Sequence, residues 1–322
     1  MQIKQPMNYE EATGRVPYKM TNNYLFIAVL QEDKYALKGL VAALLHMDAD
    51  DIKSIEIENP IMLGADINLK EFVLDIKLKF NDDSTMNLEM QVLDYGNWVP
   101  RSISYLCREW DRLKKGADYD EAGYAYHIGF LDFTLFQERP EFYATYRLMD
   151  IADGYEYSDR LNLSVVELNN IAMASDEDRH YEIDKWARLF KAGTWEDIKM
   201  LAEDNKYIES AAKGMFFKTQ DESILRLCRK MDEEIEGDKR RAERLTKLEK
   251  DIIKLEEKYS GLQTEYSGLQ TEYSGLQTKN SNLKTKNSDL QTKNMDLEAE
   301  NSELKENIAQ LQAELAKLKA GR

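Results

Sequence analysis

Cysteine, proline and histidine are scarce in this sequence, and each shortage argues against a class of protein. The 322 residues include two cysteines and five prolines, too few cysteines for a small secreted domain held together by disulfides. Both cysteines lie in apolar, helix-like stretches, so we expect core thiols in a reducing compartment rather than a disulfide. The three histidines are far apart and lack ligand spacing, which argues against a zinc site.

Long hydrophobic runs and glycine-rich loops are also missing. No apolar run reaches the roughly 18–20 residues that span a bilayer. The opening segment MQIKQPMNYEEATG is too polar and acidic for a signal peptide. No glycine-rich phosphate loop follows a strand-like segment, so an ATPase has no support. These absences predict a soluble, cytoplasmic protein.

Positive charge is scarce in most of the chain. The net charge is −16, and residues 1–238 alone hold 28 basic and 46 acidic side chains, a net of −18. Such an acidic domain would not bind nucleic acid non-specifically, because binding would release few counterions. Any contact with DNA therefore needs a local basic patch or a bound cation.

The C-terminal part of the chain has a strict seven-residue repeat. Leucine recurs at every seventh position from Leu248 to Leu318, and isoleucine, tyrosine or asparagine precedes most of these leucines by three residues. Leucine at each d position, with asparagine at four successive a positions between 280 and 301, predicts a parallel, in-register homodimeric coiled coil. We therefore expect a globular domain at residues 1–235 and a coiled coil at 236–322.

The N-terminal part alternates strand-like and helix-like patterns. A near-continuous apolar run at 124–136 predicts a strand covered on both faces. A helix is expected from Pro100 onward. Antiparallel strands, helices and one buried strand together indicate an α/β or α+β sheet domain. Further helical spacing covers 22–47 and about 180–235, and further strand-like segments are SIEIENPIML, FYATYRLMDI and LNLSVVELN.

The segment FVLDIKLKFNDDSTMNLEMQV, residues 72–92, predicts a β-hairpin with one polar face. A three-residue loop would place Asp75 opposite Glu89, and a five-residue loop would place Asp75 opposite Gln91 and Lys77 opposite Glu89. Two carboxylates this close repel each other, so Lys77 or a divalent cation such as Mg²⁺ should compensate. The alternative is an ordinary solvated sheet face. The polar residues are Asp75, Lys77 and Lys79 in the first strand and Asn87, Glu89 and Gln91 in the second.

The order of these motifs resembles the D…ExQ form of the PD-(D/E)XK nuclease signature. Asp75-Ile76 and Leu88-Glu89-Met90-Gln91 are followed by a helix that contains Arg101–Tyr105 and by the strand-like segment His127–Phe133. This succession, over roughly residues 15–230, is similar to the Rpn family of recombination-promoting nucleases and putative transposases. The resemblance implies a restriction-endonuclease-like mixed-sheet core with flanking helices. It also implies Mg²⁺- or Mn²⁺-dependent DNA cleavage and a role linked to recombination or mobile elements.

The resemblance also implies roles for individual residues. Asp75 and Glu89 become metal ligands, and Gln91 stands where the signature usually has lysine. A neutral amide lacks the positive charge that would orient water or stabilise phosphate. Lys77 or Lys70 could supply that charge. Lys77 is favoured because it is expected on the same face of the strand as Asp75. The predicted catalytic set is therefore Asp75, Glu89, Gln91 and Lys77.

Three more residues are weaker candidates for the same site. Glu32, near the end of the first helical segment, could be a further acidic ligand, or it is an exposed charge at the end of a helix. Arg101 and Tyr105 lie one helical turn apart and could contact phosphate. A second class of function stays open, namely an inactive nuclease-like scaffold that the coiled coil dimerises. The acidity of the body favours the scaffold, and the intact D…ExQ set favours the enzyme.

Overall fold

The chain forms two units, residues 1–241 and 242–322, in the computed structural model. The described residues are 8–58, 75–81, 84–111, 118 and 122–320. The predicted domain boundary at residue 235 falls a few residues before the end of the first unit.

A six-stranded mixed sheet forms the centre of the first unit within the described residues. The strands are β1 Ile55–Ile57, β2 Asp75–Phe80, β3 Ser84–Gln91, β4 Ala125–Leu131, β5 Tyr143–Met149 and β6 Glu156–Glu167, in the spatial order β1-β2-β3-β4-β6-β5. Strands β3, β4 and β6 are mutually parallel, and the other neighbours are antiparallel. Helices are α1 Asn23–Glu32, α2 Lys34–Leu44, α3 Trp98–Trp110, α4 Asp176–His180, α5 Ile183–Lys191, α6 Trp195–Ala202, α7 Lys206–Lys218 and α8 Glu222–Ala320. The α/β expectation of a mixed sheet with flanking helices is thereby confirmed.

The hairpin of β2 and β3 adopts the shorter of the two predicted connections. Phe80 pairs with Ser84, and Asp75 pairs with Glu89. The alternative five-residue loop is therefore wrong. Asn81, directly after β2, has φ +49°, a left-handed conformation that asparagine tolerates better than most residues.

The apolar face of the sheet carries the main core. Alternate residues of β2 and β3, such as Ile76 and Leu88, are almost completely buried in one core that also includes residues of α1, α2, α5 and α7. Strand β4 is buried along nearly its whole length, as the apolar run at 124–136 predicts. Asn22 and Asp33 begin α1 and α2 by accepting hydrogen bonds from the free backbone N–H groups of the first turn.

The polar face of the hairpin is covered rather than solvated, so the expectation of an ordinary solvated face is wrong. Helix α3, which connects β3 to β4, lies over it and begins at Trp98, two residues before the predicted Pro100. The helix turns Trp98, Ser102 and Glu109 inward, whereas Ile103 is exposed. Cys107 is exposed as well, which corrects its expected place in the core, while Cys228 is buried.

The second unit is helical from Ala242 to Ala320. Each described side chain from residue 242 to 319 is exposed, including Leu248 at 49% and Leu262 at 64%. An unbroken helix with an exposed leucine stripe is consistent with a coiled coil, since the stripe becomes buried only against another helix. Within the described residues, no helix is long and apolar enough to cross a membrane.

Candidate active site

Strand pairing places the polar residues in two adjacent rows across the sheet. Asp75 of β2 lies beside Glu89 of β3, which lies beside Gly129 of β4. In the next row Lys77 lies beside Asn87, which lies beside His127. Because residues of alternating register face the same side, both rows face α3. Asp75, Asn87, Glu89 and His127 are each at most 7% exposed.

Gly129 makes room for the aromatic ring that closes this site. A Cβ atom at position 129 would lie 2.0 Å and 2.2 Å from two ring carbons of Trp98. The indole of Trp98 therefore packs directly on the backbone of β4, beside Glu89. Only glycine permits this approach, since a methyl group would overlap the ring.

Arg101 reaches from α3 to both residues of the ExQ motif. Its Nη2 donates to Oε1 of Glu89 and to Oε1 of Gln91. Its guanidinium carbon lies 5.6 Å from the centroid of the Trp98 ring, within cation–π range. The amide nitrogen of Gln91 donates to the carbonyl of Leu93 at 2.6 Å. Both ends of the Gln91 amide are therefore engaged.

Lys77 lies at the other side of the same face. Its ammonium group forms a 3.1 Å ion pair with Glu109 of α3, whose side chain is 3% exposed. Lys77 is also the principal positive charge acting on Asp75. The site thus holds two cations, with Arg101 against Glu89 and Lys77 between Asp75 and Glu109.

A buried amide–imidazole contact links the two carboxylates. The side-chain amide nitrogen of Asn87 lies 3.1 Å from Nδ1 of His127, and Asn87 also hydrogen-bonds Asp75. Nε2 of His127 lies 3.8 Å from Oε2 of Glu89. Burial, reinforced by Arg101, lowers the pKa of His127 to about 3, so its ring is neutral near pH 7. Since Nδ1 accepts from Asn87, the ring proton is on Nε2, facing Glu89.

Both carboxyl groups are poised to ionise at unusually high pH. Burial raises the pKa of Asp75 to about 6, and the positive charge of Lys77 and the hydrogen bond from Asn87 limit the rise. Burial raises the pKa of Glu89 to about 7, although Arg101 pulls it downward. Paired carboxyl groups with strongly raised pKa values are characteristic of functional sites.

The structure brings together Asp75, Glu89, Gln91 and Lys77, the four residues predicted from the sequence. Glu32 is not among them, because it pairs with Lys218 and its side chain is 63% exposed. Lys70 lies outside the described residues.

Several residues of the site were missed or undervalued from the sequence. His127 was set aside because it has no histidine or cysteine neighbour at ligand spacing. Glu109 was not singled out, although it follows Tyr105 by four residues on the helical face that already carried Arg101. The edge-to-face packing of Tyr105 on His127, with ring centroids 5.6 Å apart, supports a packing role for Tyr105.

Comparison with known families identifies this arrangement. The sequence pattern described as PD-(D/E)XK nuclease family transposase matches residues 21–244. The chain belongs to this family. The match includes all six described strands and α1 to α7, so it confirms the resemblance seen in the motifs. Comparisons with the curated proteins and with the solved structures gave no match.

PD-(D/E)XK nucleases generally use divalent metal ions, and Asp75 and Glu89 fit such an ion. They oppose each other on neighbouring strands, and Oε2 of Glu89 is buried without a hydrogen-bond partner among the described residues. In the part of the chain that the structure describes, no group of three or more histidine, cysteine or acidic side chains is arranged to hold a metal ion. Two carboxylates match Mg²⁺, which completes its shell with water and substrate phosphate.

Proposed function

We propose that this protein is a Mg²⁺- or Mn²⁺-dependent DNA endonuclease that acts in recombination or on mobile elements. The main support is the pair Asp75 and Glu89, which are buried and opposed on neighbouring strands and have pKa values raised to about 6 and about 7. The family supports nuclease chemistry and a DNA substrate. Its description as a transposase supports the link to mobile elements. We place its action in the cytoplasm.

Hydrolysis of a phosphodiester adds one water across a P–O bond. The oxygen of water bonds to phosphorus, the bond to the leaving oxygen breaks, and one proton of the water ends on the leaving oxygen. Asp75 and Glu89 would hold a divalent cation, which supplies charge neutralisation and a more acidic water. Lys77 keeps Asp75 ionised by its positive charge, and Trp98 excludes bulk water from one side.

A cleft of about 610 Å³ in the first unit is a candidate surface for contact with DNA. Val92, the residue directly after β3, lines it together with Arg15, Lys19 and Lys239. Val92 connects this lining to the end of β3, whereas Asp75, Glu89 and Gln91 are not part of the lining. The lining holds three cations against the two acids Asp232 and Glu236, and we propose this small positive excess as the contact that an acidic protein needs for DNA.

The cations of this cleft differ in how they are paired. Lys239 lies 3.2 Å from Glu236, which also lines the cleft. In the described part of the chain, no carboxylate forms an ion pair with Arg15 or Lys19. Two phosphates of a DNA strand are therefore the natural partners of Arg15 and Lys19.

The coiled coil suggests the oligomeric state of the protein. We propose a parallel homodimer through the heptads of residues 248–318, because the exposed leucine stripe has no partner surface within the described residues of one chain. A parallel dimer carries two nuclease domains, which suits cleavage of both strands or of two DNA sites.

Nicking of supercoiled plasmid tests the proposal. The full-length protein should nick DNA with Mg²⁺ or Mn²⁺ and should be inactive in excess EDTA. Asp75→Asn and Glu89→Gln should each lower the rate by at least about 100-fold, whereas Asp50→Asn, a change of an exposed acid, should not. Cutting that persists in EDTA would refute metal dependence. An inactive wild type that still dimerises would instead favour the scaffold function.

A further inference from the structure

The chain lacks the lysine of the PD-(D/E)XK signature, and the structure shows what its replacement contacts. Gln91 accepts a hydrogen bond from Arg101 through Oε1 and donates to Leu93 through Nε2. One of the two amide hydrogens and the carbonyl oxygen are therefore engaged within the protein. Its contacts instead hold a guanidinium group at the end of the motif.

Arg101 is fixed in place by three different contacts. Glu89 and Gln91 both accept from Nη2, and the Trp98 ring supports the guanidinium from one face. Such a planar, delocalised cation is well suited to a stacked and hydrogen-bonded position. The helix carries Arg101 three residues after Trp98, so one helical turn delivers both the ring and the charge.

Donors of Arg101 remain available for a substrate. Its Nε is buried and meets no hydrogen-bond acceptor among the described residues. Its side chain is 28% exposed, so Arg101 lies at the border between the buried face and solvent. A buried donor without a partner costs stability, which a phosphate oxygen would relieve. A guanidinium can bind two phosphate oxygens at once.

Lys77 is engaged elsewhere on the same face. Its ammonium group is paired with the buried Glu109 at 3.1 Å, and it acts on Asp75 rather than on the ExQ motif. Withdrawing Lys77 toward a phosphate would leave the Glu109 carboxylate buried and unpaired, which is costly. These contacts favour a structural and electrostatic role for Lys77.

We propose that Arg101 supplies the positive charge of the missing signature lysine and that Gln91 acts by positioning Arg101. This inference rests on the proposed nuclease function. In this role the guanidinium of Arg101 binds the non-bridging oxygens of the scissile phosphate. It stabilises the negative charge that develops on these oxygens as water attacks phosphorus. Arg101 also competes with a cation for Glu89, since both positive groups bind the same carboxylate.

Removal of the charge should separate cleavage from cation binding. Arg101→Met in the full-length protein should lower plasmid nicking by about 100-fold or more. At a pH high enough for Glu89 to be ionised in both proteins, the same change should tighten binding of Mn²⁺, measured as a thermal shift on titration, because a competing positive charge leaves Glu89. The matched control is Arg147→Met. Arg147 of β5 also forms an ion pair, at 2.8 Å, with Glu156 of β6. This control should alter neither measurement.

Relocation of the charge provides a rescue test. Gln91→Lys combined with Arg101→Met restores a lysine at the signature position. The double variant should nick DNA at least tenfold faster than Arg101→Met alone. Arg101→Lys should retain more activity than Arg101→Met, because it keeps the charge but loses the planar fork. Lys77→Met with Glu109→Gln, which removes the ion pair without stranding a charge, should keep more activity than Arg101→Met.

The outcomes distinguish this inference from the proposed function. A wild type that cuts DNA while Arg101→Met cuts equally well would overturn the role of Arg101 alone. Loss of nicking together with weakened Mn²⁺ binding, without rescue by Gln91→Lys, would show a merely structural role and overturn it too. A wild type that is inactive with Mg²⁺ and with Mn²⁺ would overturn the nuclease proposal and this inference with it.

Discussion

Asn87 and His127 form a fully buried hydrogen bond between β3 and β4, with 3.1 Å between the amide nitrogen and Nδ1. This contact lies between the two carboxylates, because Asn87 also bonds Asp75 and Nε2 of His127 faces Glu89. It ties the orientation of one proposed metal ligand to that of the other. Such supporting hydrogen bonds are worth about 10- to 100-fold in metal affinity or activity in metal sites generally.

Replacement of the imidazole should therefore affect both stability and cation binding. His127→Leu leaves the Asn87 amide without its acceptor, so we expect a loss of about 1–3 kcal/mol in unfolding free energy. Affinity for Mn²⁺ should fall at least tenfold. Urea unfolding and a Mn²⁺ thermal-shift titration measure the two effects, with His180→Leu at an exposed position as the control. Unchanged Mn²⁺ affinity would contradict the orienting role.

Neutralisation of Asp75 should stabilise the metal-free protein, but only above its ordinary pKa. Its pKa is about 6 in the folded state against 3.8 ordinarily, so the folded state binds the proton more tightly. The wild type therefore loses stability as pH rises from about 4 to 6. Asp75→Asn removes this penalty and should be roughly 3 kcal/mol more stable at pH 8, with little advantage near pH 4.

Urea unfolding in EDTA at several pH values measures this difference. Asp50→Asn, a change of an exposed acid, serves as the control. Added Mg²⁺ should reverse the order at pH 8, because only the wild type keeps both carboxylates. A pH-independent difference between Asp75→Asn and wild type would contradict the burial of this group.

A methyl group at position 129 should disrupt the site through packing. In Gly129→Ala the new Cβ would lie 2.0 Å from a carbon of the Trp98 ring, so the indole must move. We expect a loss of about 1–3 kcal/mol in unfolding free energy, the usual range for overpacking. The double variant with Trp98→Leu should lose less than the two single losses combined, since the smaller side chain frees the space.

Gly237→Ala is the control for this experiment. Position 237 is in α8, and an added Cβ there meets only side-chain nitrogens of Arg241, at 3.6 Å and 3.9 Å. It should be neutral or slightly stabilising, because alanine favours helix over glycine. Additive losses in the double variant would show that Trp98 and Gly129 do not contact each other.

Two cations of the cleft should account for part of the salt dependence of DNA binding. Replacing Arg15 and Lys19 together by alanine should reduce the slope of log K against log salt by about 2. Fluorescence anisotropy with a short duplex in Ca²⁺ measures it. The paired control replaces Lys34 and Lys206, exposed lysines that begin α2 and α7. Equal slopes in both double variants would exclude the cleft as the DNA contact.

The asparagines of the heptad should set the oligomeric state of the full chain. Light scattering should give a dimer for wild type. Asn287→Ile with Asn294→Ile should raise the melting temperature of the helical transition and broaden the mass distribution, because buried asparagine costs stability but selects the dimer. Ser288→Ala, at an outer position of the heptad, should change neither. A monomeric wild type would contradict assembly through the heptads.

Local patterns were sufficient for much of this protein. The alternation in 72–92 predicted the hairpin and assigned Ile76 and Leu88 to the apolar face, because strand side chains alternate with a period of two. The heptads predicted the long C-terminal helix, and the order of motifs predicted the family. These features depend on neighbours in sequence, so the sequence alone determined them.

The tertiary structure decided what covers the polar face. Helix α3 leaves Ile103 exposed and turns Trp98, Arg101 and Glu109 toward the sheet. The reason is long-range complementarity. The sheet presents two buried carboxylates, Lys77 and a glycine to α3, and the covering helix face carries the matching cation Arg101, the carboxylate of Glu109 and the flat ring of Trp98. The partners of Glu89 are set by this packing, which the sequence around Glu89 does not record.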